Sequence, residues 1–227
     1  MENPYAKETH FSKRKFRVFL KLFCQDFTAL QMASLTHVNR NTANLWINRI
    51  RERIEKLSEK EKLQNALCVQ VDEIFFNDTK IMFPKYFFPR REIAVLGIID
   101  LHGKVYARIV EKVTKANVYP IIQSCCARGA TIFTDGARVY KGLSKTGYKH
   151  AFVNHVHNEY SRYENGSCVT TNRIEGFWGW MKVRLAKFRG VKWDCLHLHI
   201  AESVWRFNHR KEDLYKLLLK EFRKNPL

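Results

Sequence analysis

The sequence has little that would place the protein in a membrane or outside the cell. It contains no apolar run of about 18 residues, which is the length that a membrane-spanning helix needs, and no strongly basic amphipathic tail. The first ten residues lack the short apolar core of a secretory signal. We therefore expect a cytoplasmic protein that does not associate with membranes.

Cysteine pairs with metal-binding spacing are also missing. None of the six cysteines forms a C-x2-C arrangement, and the neighbours Cys125 and Cys126 do not fit an ordinary zinc knuckle. We expect reduced, mostly buried thiols and no zinc.

Acidic residues are scarce relative to basic ones. The chain has 40 Lys and Arg against 22 Asp and Glu, which gives a formal net charge of +18. An excess of this size is more than solubility requires and favours a polyanionic partner, of which nucleic acid is the leading candidate. The 227 residues are 45% apolar, enough to bury a substantial core.

The composition changes near residue 65, where a helical pattern rich in Lys, Glu and Arg gives way to β-branched and aromatic runs. We predict a helical domain over residues 1–65 and an α/β domain over residues 66–227.

The first of these domains has the pattern of a helix-turn-helix. Helices are predicted over 13–23, 29–35 and 41–57, and an inward stripe in the third comprises Trp46, Ile50, Ile54 and Leu57. A different face of that helix carries amides and guanidiniums suited to base edges and phosphates: Arg40, Asn41, Asn44, Asn48 and Arg51. A plain helical bundle with a solvated face is the alternative.

The second domain alternates strands and helices. Strands are predicted over 68–76, 93–100, 104–113, 130–134 and 149–154, and helices over 117–127, 172–189 and 196–208, with a helical tail after Lys211. This is the element order of a ribonuclease H-like mixed sheet flanked by helices.

Two aspartates in this domain suit a nuclease. Cleavage of a phosphodiester by two divalent metals needs carboxylates that converge on one place. Asp72 lies mid-strand among apolar neighbours, where an unpaired charge is costly, and Asp135 ends a short apolar strand beside Gly136. A solvated strand face also explains Asp72, and a turn residue also explains Asp135. Glu73 is excluded because it points away from Asp72 in a regular strand.

The predicted helix at 172 offers a third acid. Its docking stripe comprises Ile174, Phe177, Trp178, Met181, Leu185 and Phe188. A second face carries Glu175 as a candidate metal ligand, Gly179 as a point of close approach for DNA, and Lys182 as a candidate phosphate contact. The alternative is that Glu175 complements the helix dipole and Lys182 is a solvated charge.

Several motifs in this order resemble one known family. They are V-D-E-I-F-F at 71–76, T-D-G-A-R-V-Y at 134–140, V-N-H at 153–155, N-R-I-E-G-F-W-G-W-M-K at 172–182, K-F-R-G at 187–190, L-H-L-H at 196–199 and W-R-F-N-H-R at 205–210. Together they resemble the DDE-type insertion-sequence transposases related to the Merlin group, from about residue 66 to the C-terminus.

The resemblance implies a ribonuclease H-like fold and metal-dependent cleavage and strand transfer in a bacterial cytoplasm or nucleoid. It implies Mg²⁺ or Mn²⁺, two ions, held by Asp72, Asp135 and a third residue. It also implies double-stranded transposon ends and target DNA as partners of a homo-oligomer. Asn172 and Glu175 both fit the third place, and a carboxylate is the stronger ligand for a hard cation. A non-catalytic DNA-binding protein, a domesticated relative and a repair nuclease of the same fold remain alternatives.

The C-terminal part adds a basic excess. Residues 181–227 include Arg184, Lys187 and Arg189, which together with Lys182 are candidate contacts to DNA phosphates, although a solvated helical face is the alternative. His155 and His157 precede the third-acid helix and fit either a metal or phosphate contact or a loop without a catalytic role.

Overall fold

The computed structural model of the chain describes residues 3–7, 11–77, 92–153, 161–164, 167–188 and 190–227. The candidate residues His155, His157 and Arg189 lie outside these ranges.

Three helices open the fold: α1 (Lys13–Cys24), α2 (Ala29–Thr36) and α3 (Arg40–Lys60). Each begins at a side-chain cap, namely Ser12, Thr28 and Asn39, whose oxygen accepts a backbone N–H of the first turn. Helix α2 ends at His37 in the left-handed conformation, with φ of 50°. Three residues separate α2 from α3, so the two helices are joined by a tight turn.

A five-stranded mixed sheet forms the centre of the remaining chain. Its strands are β1 (Ala66–Asn77), β2 (Glu92–Asp100), β3 (Val105–Val110), β4 (Cys126–Asp135) and β5 (Lys149–Val153), in the order β3-β2-β1-β4-β5. The first three strands are antiparallel neighbours, whereas β4 pairs parallel to β1 and β5 parallel to β4. Helix α4 (Lys115–Cys125) connects β3 to β4.

The chain from β5 onward contains one element that the sequence pattern did not indicate. Strands β6 (Ser161–Glu164) and β7 (Ser167–Thr170) form a separate two-stranded antiparallel sheet. Three helices follow it: α5 (Asn172–Ala186), α6 (Trp193–Asn208) and α7 (Leu214–Lys224).

The two faces of the main sheet bury different cores. Val69, Val71 and Ile132 pack with α4 on one face, whereas Ile74 and Val95 pack with α5 and α6 on the other. The second face therefore brings α5 against β1 and β2. The predicted mixed sheet flanked by helices is confirmed.

Residues far apart in sequence complete the core of the N-terminal helices. Trp46, Ile50 and the phenylalanines of α1 share one cluster with Leu218 and Phe222 of α7. The division at residue 65 stays a prediction, and the packing shows that the helices on its N-terminal side bury their apolar faces against the C-terminal helix.

Within the described ranges, every helix is too short or too polar to cross a bilayer.

Candidate active site

Strand register aligns Asp72 with Asp135. Cys68 pairs with Thr131, Val69 with Ile132 and Gln70 with Phe133 across the parallel β1–β4 ladder. The ladder ends there, and its register continued by two residues brings Asp72 and Asp135 to corresponding positions of the two strands. Because paired residues of a parallel ladder point to the same face, both aspartates face the side of the sheet that α5 covers.

Helix α5 is attached to this part of the sheet at two levels. At its first turn, Oε1 of Gln70 accepts the backbone N–H of Arg173 at 2.9 Å and of Ile174 at 3.1 Å. One turn later, Nε1 of Trp178 donates to Oδ2 of Asp72 at 3.1 Å. These contacts bracket Glu175 and bring it to the same face as the two aspartates.

The acids influence one another. Burial raises the pKa of Asp72 to about 6, and the carboxylates of Asp135 and Glu175 add to the increase while the Trp178 hydrogen bond opposes it. Asp135 and Glu175 are therefore near enough to Asp72 for their carboxylates to affect its pKa. Carboxylates gathered in this way are the groups that a divalent cation binds.

Glu73 is a further acidic residue of β1, next to Asp72 in the sequence. It lies on the opposite face of β1, as the strand alternation predicts, beside the buried Tyr140. Burial raises its pKa to about 7, and the carboxylates of Asp135 and Asp72 contribute. Glu73 is thus electrostatically coupled to the aspartates even though it points to the other side of the sheet.

Asp135 and Glu175 each have a local hydrogen bond. Oδ1 of Asp135 accepts the N–H of Ala137 at 3.0 Å, so the turn role that the sequence suggested is real. Oε1 of Glu175 accepts from the Thr171 hydroxyl at 2.6 Å. Asn172 is exposed, and its backbone N–H donates to Oγ1 of Thr170.

The donor chemistry fits Mg²⁺ or Mn²⁺, whose preferred ligands are carboxylate oxygens. Among the residues that the structure describes, however, no three acidic, histidine or cysteine side chains converge closely enough to form a metal site.

The predicted DNA contacts differ in how far the structure exposes them to solvent. Asn48 of α3 is half-buried, and four candidates are exposed: Arg40, Asn41 and Asn44 on α3, and Lys182 on α5. The N-terminal part of α3 therefore presents the predicted polar face outward.

Two candidate contacts are corrected by the structure. Arg51 is buried, with Nε donating to Glu202 at 2.7 Å, and Arg184 is buried against Ser203, Asp26 and Glu202. Their guanidiniums neutralise internal carboxylates instead of facing DNA. Lys187 is half-buried and forms an ion pair with Asp26.

Gln70 and Trp178 make hydrogen bonds at the candidate site, and the sequence pattern does not assign them to it. The signal for Gln70 was present, because polar residues at 70 and 72 alternate with Val69 and Val71 and so belong to one strand face. Trp178 was assigned only to the docking stripe, and its indole N–H contact to Asp72 depends on the packing of α5.

Comparison with known proteins supplies a family. A family model described as an ISXO2-like transposase domain matches residues 62–208. No curated protein sequence matches the chain. Similar solved structures include a Mos1 transposase paired-end complex with the left transposon end, at 12% identity and a TM-score of 0.37, covering 96% of this chain and 82% of that one. A pre-cleavage Mos1 transpososome matches at 13% identity and a TM-score of 0.34, covering 95% and 81%.

Proposed function

The chain belongs to the ISXO2-like transposase family, and on that premise we propose that it cuts and joins DNA at the ends of an insertion sequence in the bacterial cytoplasm or nucleoid. Asp72, Asp135 and Glu175 are the proposed metal ligands. The observation that carries the proposal is the β1–β4 register, which, continued by two residues, aligns the two aspartates on the sheet face that α5 covers. Asp135 and Glu175 both contribute to the raised pKa of Asp72.

Two Mg²⁺ or Mn²⁺ ions, when bound, supply the charge that activates the attacking hydroxyl and stabilises the departing oxygen of the phosphodiester. The side chains of this protein prepare that place. The Trp178 indole orients Asp72, and the Ala137 N–H fixes one oxygen of Asp135. Glu175 would hold a metal ion through the carboxylate that accepts the Thr171 hydroxyl.

DNA recognition is assigned to the exposed face of α3. Arg40, Asn41, Asn44 and Asn48 lie on the second helix of the helix-turn-helix pair, where side chains reach base edges in the major groove. Lys182 lies two turns after Glu175 and is the proposed phosphate contact beside the active site. Joining two transposon ends requires two active sites, so we propose a homo-oligomer.

The direct test is a cleavage and strand-transfer assay on double-stranded DNA that carries the inverted repeats of the element, in Mg²⁺ or Mn²⁺. We expect metal-dependent nicking at the repeat end by the wild-type protein and its loss in Asp72→Asn, Asp135→Asn and Glu175→Gln. Asn172→Ala distinguishes the two candidates for the third ligand, and its retained activity would favour Glu175.

Binding and cutting are measured separately in the same experiment. The three carboxylate variants should bind the inverted repeat with wild-type affinity, whereas Asn44→Ala combined with Asn48→Ala should weaken specific binding. A protein that binds the repeat but never cuts it would be a DNA-binding relative without catalysis. Preferential cleavage of branched or RNA–DNA hybrid substrates would instead indicate a repair nuclease.

A further inference from the structure

At the first turn of helix α5, Oγ1 of Thr170 accepts the N–H of Asn172, but the N-cap residue itself does not cap the helix. Its N-cap residue, Thr171, makes no capping hydrogen bond with its side chain, and the Thr171 hydroxyl donates instead to Glu175. The N–H groups of a first helical turn have no partner within the helix, and leaving them unsatisfied where water is excluded is costly. Ile174 is fully buried, so its N–H needs an acceptor from the protein.

Gln70 of β1 supplies that acceptor from the sheet. Its single side-chain oxygen accepts the N–H groups of Arg173 and Ile174, at 2.9 and 3.1 Å. These are the second and third residues of α5, whose N–H groups an N-cap side chain ordinarily binds. Gln70 is itself buried, so the pair of hydrogen bonds is shielded from solvent.

A cap supplied by the sheet also fixes the position of the helix relative to the strand that supplies it. A local cap would connect α5 only to its own flanking residues, whereas Gln70 ties the first turn of α5 to the strand that carries Asp72, two residues further along. Trp178 then ties the next turn to Asp72 itself. Glu175 lies between these two contacts, so the hydrogen bonds before and after it both hold its part of α5 near Asp72.

We propose that Gln70 is a positioning residue that caps α5 from the sheet and thereby sets Glu175 against Asp72. The role of Glu175 rests on the proposed function, whereas the cap itself can be tested without any activity.

Three variants separate capping from general stability. Gln70→Met removes the acceptor at nearly constant length, and Gln70→Glu keeps an acceptor that the helix N-terminus favours. The matched control is Val69→Ala, which removes buried methyl groups from the other face of β1 without touching α5. Gln70→Asn, which is shorter by one methylene group, replaces the methionine variant if that variant does not fold.

The first readout is amide hydrogen exchange of the metal-free protein. In Gln70→Met, exchange at Arg173 and Ile174 should become faster by about tenfold, the size expected from loss of an N-cap acceptor, while Gln70→Glu and Val69→Ala stay near wild type. Unchanged exchange at both amides in Gln70→Met would overturn the proposal, as would equal acceleration in Val69→Ala.

The second readout is the Mn²⁺ concentration that gives half-maximal cleavage. Gln70→Met should raise it by about tenfold or more, as loss of a residue that orients a metal ligand typically does, and Gln70→Glu should largely restore it. A wild-type midpoint in Gln70→Met, with a raised midpoint in Glu175→Gln, would refute the positioning role and leave the proposed function intact. Absence of metal-dependent cleavage by the wild-type protein would refute the proposed function, and the exchange measurement would still decide whether Gln70 caps α5.

Discussion

Asp72 occupies a position in which its negative charge lowers the stability of the metal-free protein. Burial and the carboxylates of Asp135 and Glu175 raise its pKa from 3.8 to about 6. Because the folded-state pKa is raised, the cost is present above pH 6, shrinks as the pH falls and is absent below the unfolded-state value. The same charge is what the proposed metal site requires.

We therefore expect Asp72→Asn to increase the free energy of unfolding of the metal-free protein at pH 8. The gain should be about 1–3 kcal/mol, since two pKa units correspond to roughly 3 kcal/mol before solvent screening. Urea denaturation in EDTA measures the gain, which should fade as the pH is lowered from 7 to 4. A pH-independent loss of stability would show that the carboxylate has a structural role.

His209 should make stability depend on pH in the opposite direction. Its Nδ1 contacts Glu212 at 2.6 Å and its Nε2 contacts Glu61 at 2.9 Å, and the hydrogen bond to Glu61 is the main reason that its pKa is raised above 6.5. A raised histidine pKa stabilises the fold fully below the unfolded-state pKa, and this contribution is lost as the pH rises through the folded-state value.

The expected difference between wild type and His209→Phe is about 1 kcal/mol at pH 5.5 and close to zero at pH 9, since both carboxylates are partly exposed. Thermal denaturation across this pH range checks it. Equal destabilisation at both pH values would mean that His209 acts through packing alone.

Arg51 and Arg184 are two predicted DNA contacts that the structure buries. The sequence predicts Arg51 as a DNA contact from its face of α3, and Arg184 from the basic excess of residues 181–227. Their partners, Glu202 and Asp26, are separated from them by 151 and 158 residues. Local periodicity identifies a helix face but not which distant acid will cover it. The prediction of Asp72 and Asp135 depends only on the pattern of their own strands.

At the scale of elements, the contact between α5 and β2 depends on a residue without a side chain. Gly97 pairs with Asp72, and a Cβ atom added there would lie 2.4 Å from the Trp178 ring and 3.0 Å from Ile174. Both neighbours are buried, so neither has space to move aside. A glycine inside a strand commonly marks such a close approach.

Gly97→Ala should consequently displace Trp178, weaken its hydrogen bond to Asp72 and reduce the free energy of unfolding by about 1–3 kcal/mol, the usual cost of overpacking. Denaturant unfolding gives the energy, and the near-ultraviolet circular dichroism of the tryptophans reports the displacement. Gly179→Ala is the matched control, because its Cβ would meet nothing within 4 Å. Similar effects of the two substitutions would contradict the explanation.

The order of the long elements is largely predictable from the sequence, whereas the short strands and the contacts between distant residues are not. Helix α3 was predicted over 41–57 and spans Arg40–Lys60, because its amphipathic repeat is long and regular. The hairpin of β6 and β7 was missed, since two strands of four residues each are too short to show an alternation. The bond between Gln70 and α5 was likewise out of reach, because it joins residues 103 apart.

At the scale of the whole molecule, one buried carboxylate joins the N-terminal helices to α5, the helix that carries Glu175. Glu202 of α6 contacts Arg51 of α3, Arg184 of α5 and Arg206 of its own helix. Although burial alone would raise it, these guanidiniums hold the pKa of Glu202 well below its usual range. The residue is 1% exposed, so its charge is balanced entirely by protein groups.

Glu202→Gln should lower the free energy of unfolding by about 3–5 kcal/mol, since removing one partner leaves buried charges of one sign without compensation. Chemical denaturation followed by far-ultraviolet circular dichroism measures the loss, and Glu52→Gln on the exposed face of α3 is the control. A loss below about 1 kcal/mol would show that the arginines find other partners or water.

The parallel pairing of β1 with β4 has a consequence for which lengths of chain the protein tolerates. Because side chains alternate along a strand, inserting or deleting one residue between Cys68 and Asp72 would turn Asp72 to the α4 side and leave Asp135 without its neighbour. Just upstream, between Ala66 and Cys68, the ladder already contains an irregularity. Insertions or deletions before Cys68 should therefore preserve the proposed DNA cleavage. A change of one residue between Cys68 and Asp72 should abolish it, so the proposed chemistry requires the right spacing as much as the right residues.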